Sequence, residues 1–258
     1  CNKFSEMENP PALVMNFKTY HNVCGTSSGR MWLCYDGNVG GCFSIPIEML
    51  GSEFAVNAFP TLGTFAIRDV CNKYAPNQYF AKFPNDLACK EHCGKTGGFI
   101  VKKDGKYLTH TVGINIAQAP DDTLIRKDGL HACCMGRHLP KEKWPDKDIM
   151  AYECAERTLE LCRTINTPEK YCELVNAGFN EMGPKKWKIE INNPNADIVR
   201  DGWKWCSTHP NALFKGYLNG KPYDVAPFNF DEIIHYPSKD NPFYVQEQEE
   251  KKKKNENK

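Results

Sequence analysis

Apolar and polar positions alternate most cleanly from Gly97 to Ile116, GGFIVKKDGKYLTHTVGINI. Leu108, His110, Val112, Ile114 and Ile116 fall at every second position, the period of a half-buried strand. Asp104-Gly105 between the two halves is a hairpin signal, because tight turns require residues that tolerate positive φ. The stretch predicts two antiparallel strands with a histidine on the apolar side. Residues 13–20 also read as a strand, 43–50 as a strand entering a short helix, and 31–35 as a compact apolar segment between glycine-rich flanks. Phe65, Val70 and Tyr74 share a helical face that Pro76 terminates.

After Pro145 the period changes. Ile149, Cys154, Leu161 and Ile165 are in helical phase, with Asp146 or Asp148 at the start. Thr167 as N-cap, Pro168 at the first helical position and Gly183 near the stop mark a second helix. Trp187, Ile189 and Ile191 alternate as in a strand, whereas residues 217–236 read as loop around the turn LNGKPYD. These elements predict an α+β fold, an antiparallel sheet packed against an αα-hairpin at about 148–183. A strand-rich, cysteine-rich half at 1–140 is expected to pack with a helix-led half at 141–245 as one globular unit. The charged, low-complexity end at 246–258 is expected to be a disordered tail.

With 258 residues, 41% of them hydrophobic, the chain can bury a core without disulfides. A net charge of +1 points to neither nucleic acid nor an anionic membrane, and no apolar run reaches the ~18 residues of a span. Thirteen cysteines change the picture, because setting Cys1 aside leaves an even number, as in chains from an oxidising compartment. The expectation is an extracytoplasmic or secreted protein. Cys1 itself allows a lipid anchor, an N-terminal nucleophile or an arbitrary start.

Two constellations carry candidate chemistry. Cys24 lies before a short apolar segment, where a helix N-terminus would lower its pKa. His110 sits on its strand, and Asp121 follows in the next loop, next to Asp122. A thiol, an imidazole and an orienting carboxylate make a Cys–His hydrolase. The order of these residues, with THTVGINI at the histidine strand, resembles the papain-like NlpC/P60 peptidases. Asn22 to Cys24 (NVC) and Gly97 to Val101 (GGFIV) make the likeness nearest to the amidase effectors of bacterial type VI secretion. The resemblance implies a catalytic Cys24, His110 and Asp121 acting on cell-wall peptide crosslinks. Thr111 stands between His110 and Val112, one residue more than the family's His-Val-Gly-Ile. A buried histidine hydrogen-bonded through one nitrogen, and a half-cystine or inert thiol at Cys24, are the plainer alternatives.

The second constellation is a metal site. CKEHC and CCMGRH offer Cys89, Cys93, Cys134 and His138 at spacings that suit tetrahedral zinc. CGKTGG, at Cys93 to Gly98, contains Gly-Lys-Thr, but Cys89 stands where a phosphate loop needs glycine, which excludes that motif. Trp187, Trp203, Trp205, Phe214 and Tyr217 could form a binding platform or simply core. Three classes stay open: a cysteine amide hydrolase of cell-wall peptide with no cofactor, a noncatalytic disulfide-stabilised domain that binds a protein partner or is structural, and an intracellular zinc-stabilised protein.

Overall fold

A computed structural model describes residues 14–16, 22–24, 31–50, 52–82, 85–91, 94–121, 131–181, 187–191, 197–200, 214–218, 221–225 and 230–235. In chain order it contains β1 (Val14–Asn16), β2 (Asn22–Cys24), β3 (Met31–Leu33) and β4 (Val39–Pro46). The helix α1 (Glu53–Tyr74) leads to β5 (Tyr79–Lys82), β6 (Asp86–Cys89), β7 (Lys95–Asp104) and β8 (Tyr107–Ile114). Then come α2 (Lys147–Thr164), α3 (Pro168–Glu181), β9 (Trp187–Ile191), β10 (Asp197–Arg200), β11 (Phe214–Leu218), β12 (Lys221–Val225) and β13 (Phe230–His235). The fold is α+β. Its main sheet is antiparallel throughout, in the order β1-β4-β8-β7-β6-β5.

Local chemistry accounts for the elements that the sequence predicts well. Gly105 takes φ +54° in the β7–β8 turn, a conformation with no Cβ penalty at glycine. Asp146 caps α2 by accepting from the Asp148 and Ile149 N–H groups. The apolar spacing shows only the second half of α1, because Val56, Pro60, Thr61, Gly63 and Thr64 are weak helix formers. Burial overrides propensity there, since Phe54 to Phe59 and Thr61 to Ile67 lie almost entirely in the core. Of the loop expected at 217–236, the described residues form the end of β11, β12 and β13. Leu218 pairs with Lys221 across an Asn-Gly two-residue connection, and this outweighs the strand-weakening Pro222 and Gly216.

The period of two divides the main sheet into unlike faces. Val39, Phe43 and Ile45 of β4, Phe99 of β7, and Leu108, His110, Val112 and Ile114 of β8 turn to the helices. There they meet Val56, Phe59, Ile67, Met150 and Cys154 of α1 and α2. The contact between α1 and the sheet is close at one point: a Cβ on Gly63 would lie 1.8 Å from the Phe99 ring. Ser44, Thr109, Thr111 and several glycines make the opposite face.

Gly63→Ala is expected to lower the urea midpoint, because overpacking against Phe99 costs about 1–3 kcal/mol. The gain in helix propensity recovers only part of this. Phe99→Leu in the same chain should restore some of the loss. An unchanged or raised midpoint in the single variant would contradict this packing.

Candidate functional site

The polar face of the sheet has a floor without side chains. Gly40 of β4 pairs with Gly113 of β8, which pairs with Gly98 of β7, so three glycines lie side by side across three strands. Their alignment exposes flat backbone, a place for a planar group to lie close. Trp32 of β3 occupies part of it. A Cβ on Gly113 would come within 2.5 Å of the indole ring. The Trp32 Nε1 donor is buried and has no hydrogen-bond partner.

The next strand completes the row, because Gly98 pairs with Asp86 of β6. Asp86 is flanked by two ammonium groups. Lys82 is its cross-strand partner on β5 and is fully buried, with Nζ 3.1 Å from Asp86 Oδ2. Lys95 Nζ lies 2.5 Å from Asp86 Oδ1 and 5.8 Å from the centre of the Trp32 ring. Burial alone would raise the Asp86 carboxyl pKa, but Lys95 and Lys82 outweigh it and hold the value at about 2. Two cations around one carboxylate leave a formal charge of +1, and the Lys95 side chain is 36% exposed. This is an anion-attracting group at the edge of a flat, partly aromatic surface.

A break in register puts Lys95 there. Leu87 pairs with Gly97, but Ala88 pairs with Lys95, so Thr96 is an extra residue. In a regular strand Lys95, three residues from Gly98, would point to the helix face. The bulge turns it to the side of Asp86. Two backbone bonds fix it there: Lys95 N–H donates to His131 O at 2.6 Å, and Cys133 N–H donates to Lys95 O at 2.8 Å. Asn115 Nδ2 donates to Cys133 O, and Asn38 Nδ2 donates to Asn115 Oδ1, so the polar residues at the ends of β4 and β8 hold the same segment.

The residues expected for a hydrolase are placed differently. Cys24 ends the strand β2, paired with Met31 in a two-stranded unit separate from the main sheet, not at a helix start. His110 is fully buried among Phe43, Phe59 and Phe99, with ring centres 4.2, 6.3 and 3.2 Å away. Neither of its nitrogens has a hydrogen-bond partner, so no carboxylate, Asp121 included, orients the ring. Asp121 itself is exposed. Of the four residues proposed as metal ligands, Cys93 lies outside the described residues. Cys89 and His138 do come together, but with Cys133 instead of Cys134. The aromatic platform falls largely outside them too: the side chains of Trp187, Trp203, Trp205, Phe214 and Tyr217 are not among those described. Sequence reasoning passes over Trp32, Lys82 and Asp86 and sets Lys95 aside with the excluded phosphate loop. The available signal is the pair Lys82 and Asp86 four residues apart around Pro84, followed by Lys95 before Gly97-Gly98.

No family model and no curated protein matches the chain. Solved structures do. A biotin protein ligase from Aquifex aeolicus, in complex with biotin and ATP, superposes with a TM-score of 0.59 at 14% identity, over 81% of this chain and 83% of that one. A biotin protein ligase from Leishmania major in complex with biotinyl-5-AMP gives 0.53 at 20% identity, over 78% and 83%. The biotin acetyl coenzyme A carboxylase synthetase from Helicobacter pylori, with bound biotinylated ATP, gives 0.53 at 16% identity, over 86% and 90%. The chain therefore shares the fold of these proteins.

These likenesses correct the resemblance to NlpC/P60 peptidases and type VI amidase effectors, and with it the reading as a secreted cysteine hydrolase of cell-wall peptide. The disulfide-held domain is corrected as well. Nine of the cysteines, Cys34, Cys42, Cys71, Cys89, Cys133, Cys134, Cys154, Cys162 and Cys172, carry free thiols, most of them buried. Cys71 and Cys154, for example, fill the core as small apolar groups. Among the described residues no helix is long and apolar enough to cross a membrane.

His110 gives this placement a measurable signature. Burial drives its pKa well below 6.5, so the folded protein keeps it neutral while the unfolded chain protonates near the ordinary value. The unfolded state then binds more protons below that value, and stability falls with pH by up to about 1.4 kcal/mol per unit from this group. His110→Leu removes the unpartnered nitrogens and is expected to raise stability at pH 7 by about 1–2 kcal/mol. Urea titrations between pH 7 and pH 5 should show a shallower acid loss in the variant. An identical acid limb in both proteins would place His110 elsewhere.

Proposed function

We propose that this protein is a biotin-activating ligase: it joins the biotin carboxylate to AMP and passes the acyl group to an acceptor protein. The observation that carries the reading is the Lys82–Asp86–Lys95 cluster beside the glycine floor, in a fold shared with proteins solved with biotin, ATP and biotinyl-5-AMP. In the first step a carboxylate oxygen attacks the α-phosphorus of ATP. A new P–O bond forms, the bond to pyrophosphate breaks, and an acyl adenylate results. In the second step an amine of the acceptor protein attacks the acyl carbon, releasing AMP and a proton.

The first step brings a carboxylate against a polyanionic phosphate and the second develops negative charge on the departing AMP, and an ordered ammonium stabilises both best where it needs no reorganisation. Lys95 is the half-exposed ammonium of the cluster and is assigned to the reacting carboxylate and phosphate. Asp86 is a positioning residue, since it holds Lys95 in place while its own charge is shared with Lys82. The glycine floor lets a planar ring lie against the backbone, and Trp32 offers a stacking surface and an N–H donor.

The test is biotin-dependent exchange of labelled pyrophosphate into ATP, which isolates the first step. The wild-type chain should exchange only when biotin is present. Lys95→Met, which keeps the length of the side chain, should reduce exchange by about 100-fold or more while the circular dichroism spectrum stays the same. Exchange without biotin dependence, or full exchange in Lys95→Met, would overturn the assignment.

A further inference from the structure

Behind the charged cluster, on the helix-facing side of the sheet, three potential metal ligands converge. Cys89 ends β6, Cys133 lies in the segment that runs beside Lys95, and His138 follows the short 3-10 turn Met135–Arg137. Their ligand atoms all lie within 4.8 Å of one another. A tetrahedral zinc with sulfur at about 2.3 Å and nitrogen at about 2.0 Å separates its ligand atoms by roughly 3.5–3.8 Å. The cluster needs only a small contraction to reach that geometry.

Two neighbours fit a metal better than a pair of thiols. Glu91 Oε2 lies 3.3 Å from His138 Nδ1, the carboxylate–histidine pairing that orients an imidazole toward a metal through its other nitrogen. Tyr79 is fully buried with its ring 5.9 Å from the His138 ring, and its hydroxyl has no hydrogen-bond partner. A metal-bound thiolate there is a strong acceptor for the phenol proton.

We propose that Cys89, Cys133 and the Nε2 atom of His138 bind one zinc ion, with a water completing the tetrahedron. Binding releases two thiol protons, so a divalent cation and two thiolates leave the buried site neutral. The ion ties β6 to the 131–138 segment whose backbone brackets Lys95. It is structural, and independent of the ligase reading.

The test uses the full chain purified under reducing conditions without added chelator, with metal measured by mass spectrometry. Cobalt exchanged into the site gives a second readout, the thiolate charge-transfer and tetrahedral ligand-field bands. One equivalent of zinc and a tetrahedral cobalt spectrum are expected. Cys89→Ser and Cys133→Ser should lose both, whereas Cys134→Ser should keep both. Glu91→Gln, at an exposed position, should keep the fold and weaken metal affinity by about tenfold or more. Protein without stoichiometric zinc would overturn the proposal, as would a Cys89–Cys133 disulfide in the isolated protein or a metal content that depends on Cys134 and not on Cys133.

Discussion

A carboxylate buried between two ammonium groups is the constraint around which this structure is arranged. Asp86 itself cannot be removed cheaply, because the fully buried Lys82 would be left without compensation in a medium of low dielectric, at about 3–5 kcal/mol. The same burial makes such a trio a weak source of net stability. Its use is positional: it sets two lysines at a defined point on the polar face, next to backbone bare of side chains.

Everything near it serves that placement. The helix-facing side of the sheet is filled by Phe43, Phe59, Phe99 and His110, packed tightly enough that α1 needs glycine at position 63. That rigid layer backs the glycine floor. The bulge at Thr96 turns Lys95 across the sheet, and the Asn38–Asn115–Cys133 hydrogen bonds hold the strand ends and the 131–138 segment against it. Loosening any of these would move the Lys95 ammonium relative to the floor, and electrostatic stabilisation depends on such placement being fixed beforehand.

The parts legible in the sequence are those set by local chemistry. The β7–β8 hairpin follows from alternation and Asp104-Gly105, and α2 and α3 follow from Asp146, Thr167 and Pro168. The site was illegible for the opposite reason. Gly40, Gly98 and Gly113 are distant in the chain and become one surface only through strand pairing, and Lys95 joins Asp86 only through a bulge that alternation does not foresee. His110 misled because a histidine on an apolar face suggests a task, whereas here the ring packs as an aromatic side chain would. The cysteine count misled because a buried thiol and a half-cystine look alike in composition. Cys71 and Cys154, for example, are fully buried core thiols of α1 and α2.

Under the proposed function, the polar face holds an activated acyl group beside Lys95. This claim is tested most directly by a crystal structure of the protein grown with biotin and ATP. The account predicts biotinyl-AMP lying across Gly40, Gly113 and Gly98, with a carboxyl or phosphate oxygen about 3 Å from Lys95 Nζ. Ligand bound away from this face, or on it with Lys95 still turned only to Asp86 and touching no ligand oxygen, would contradict it.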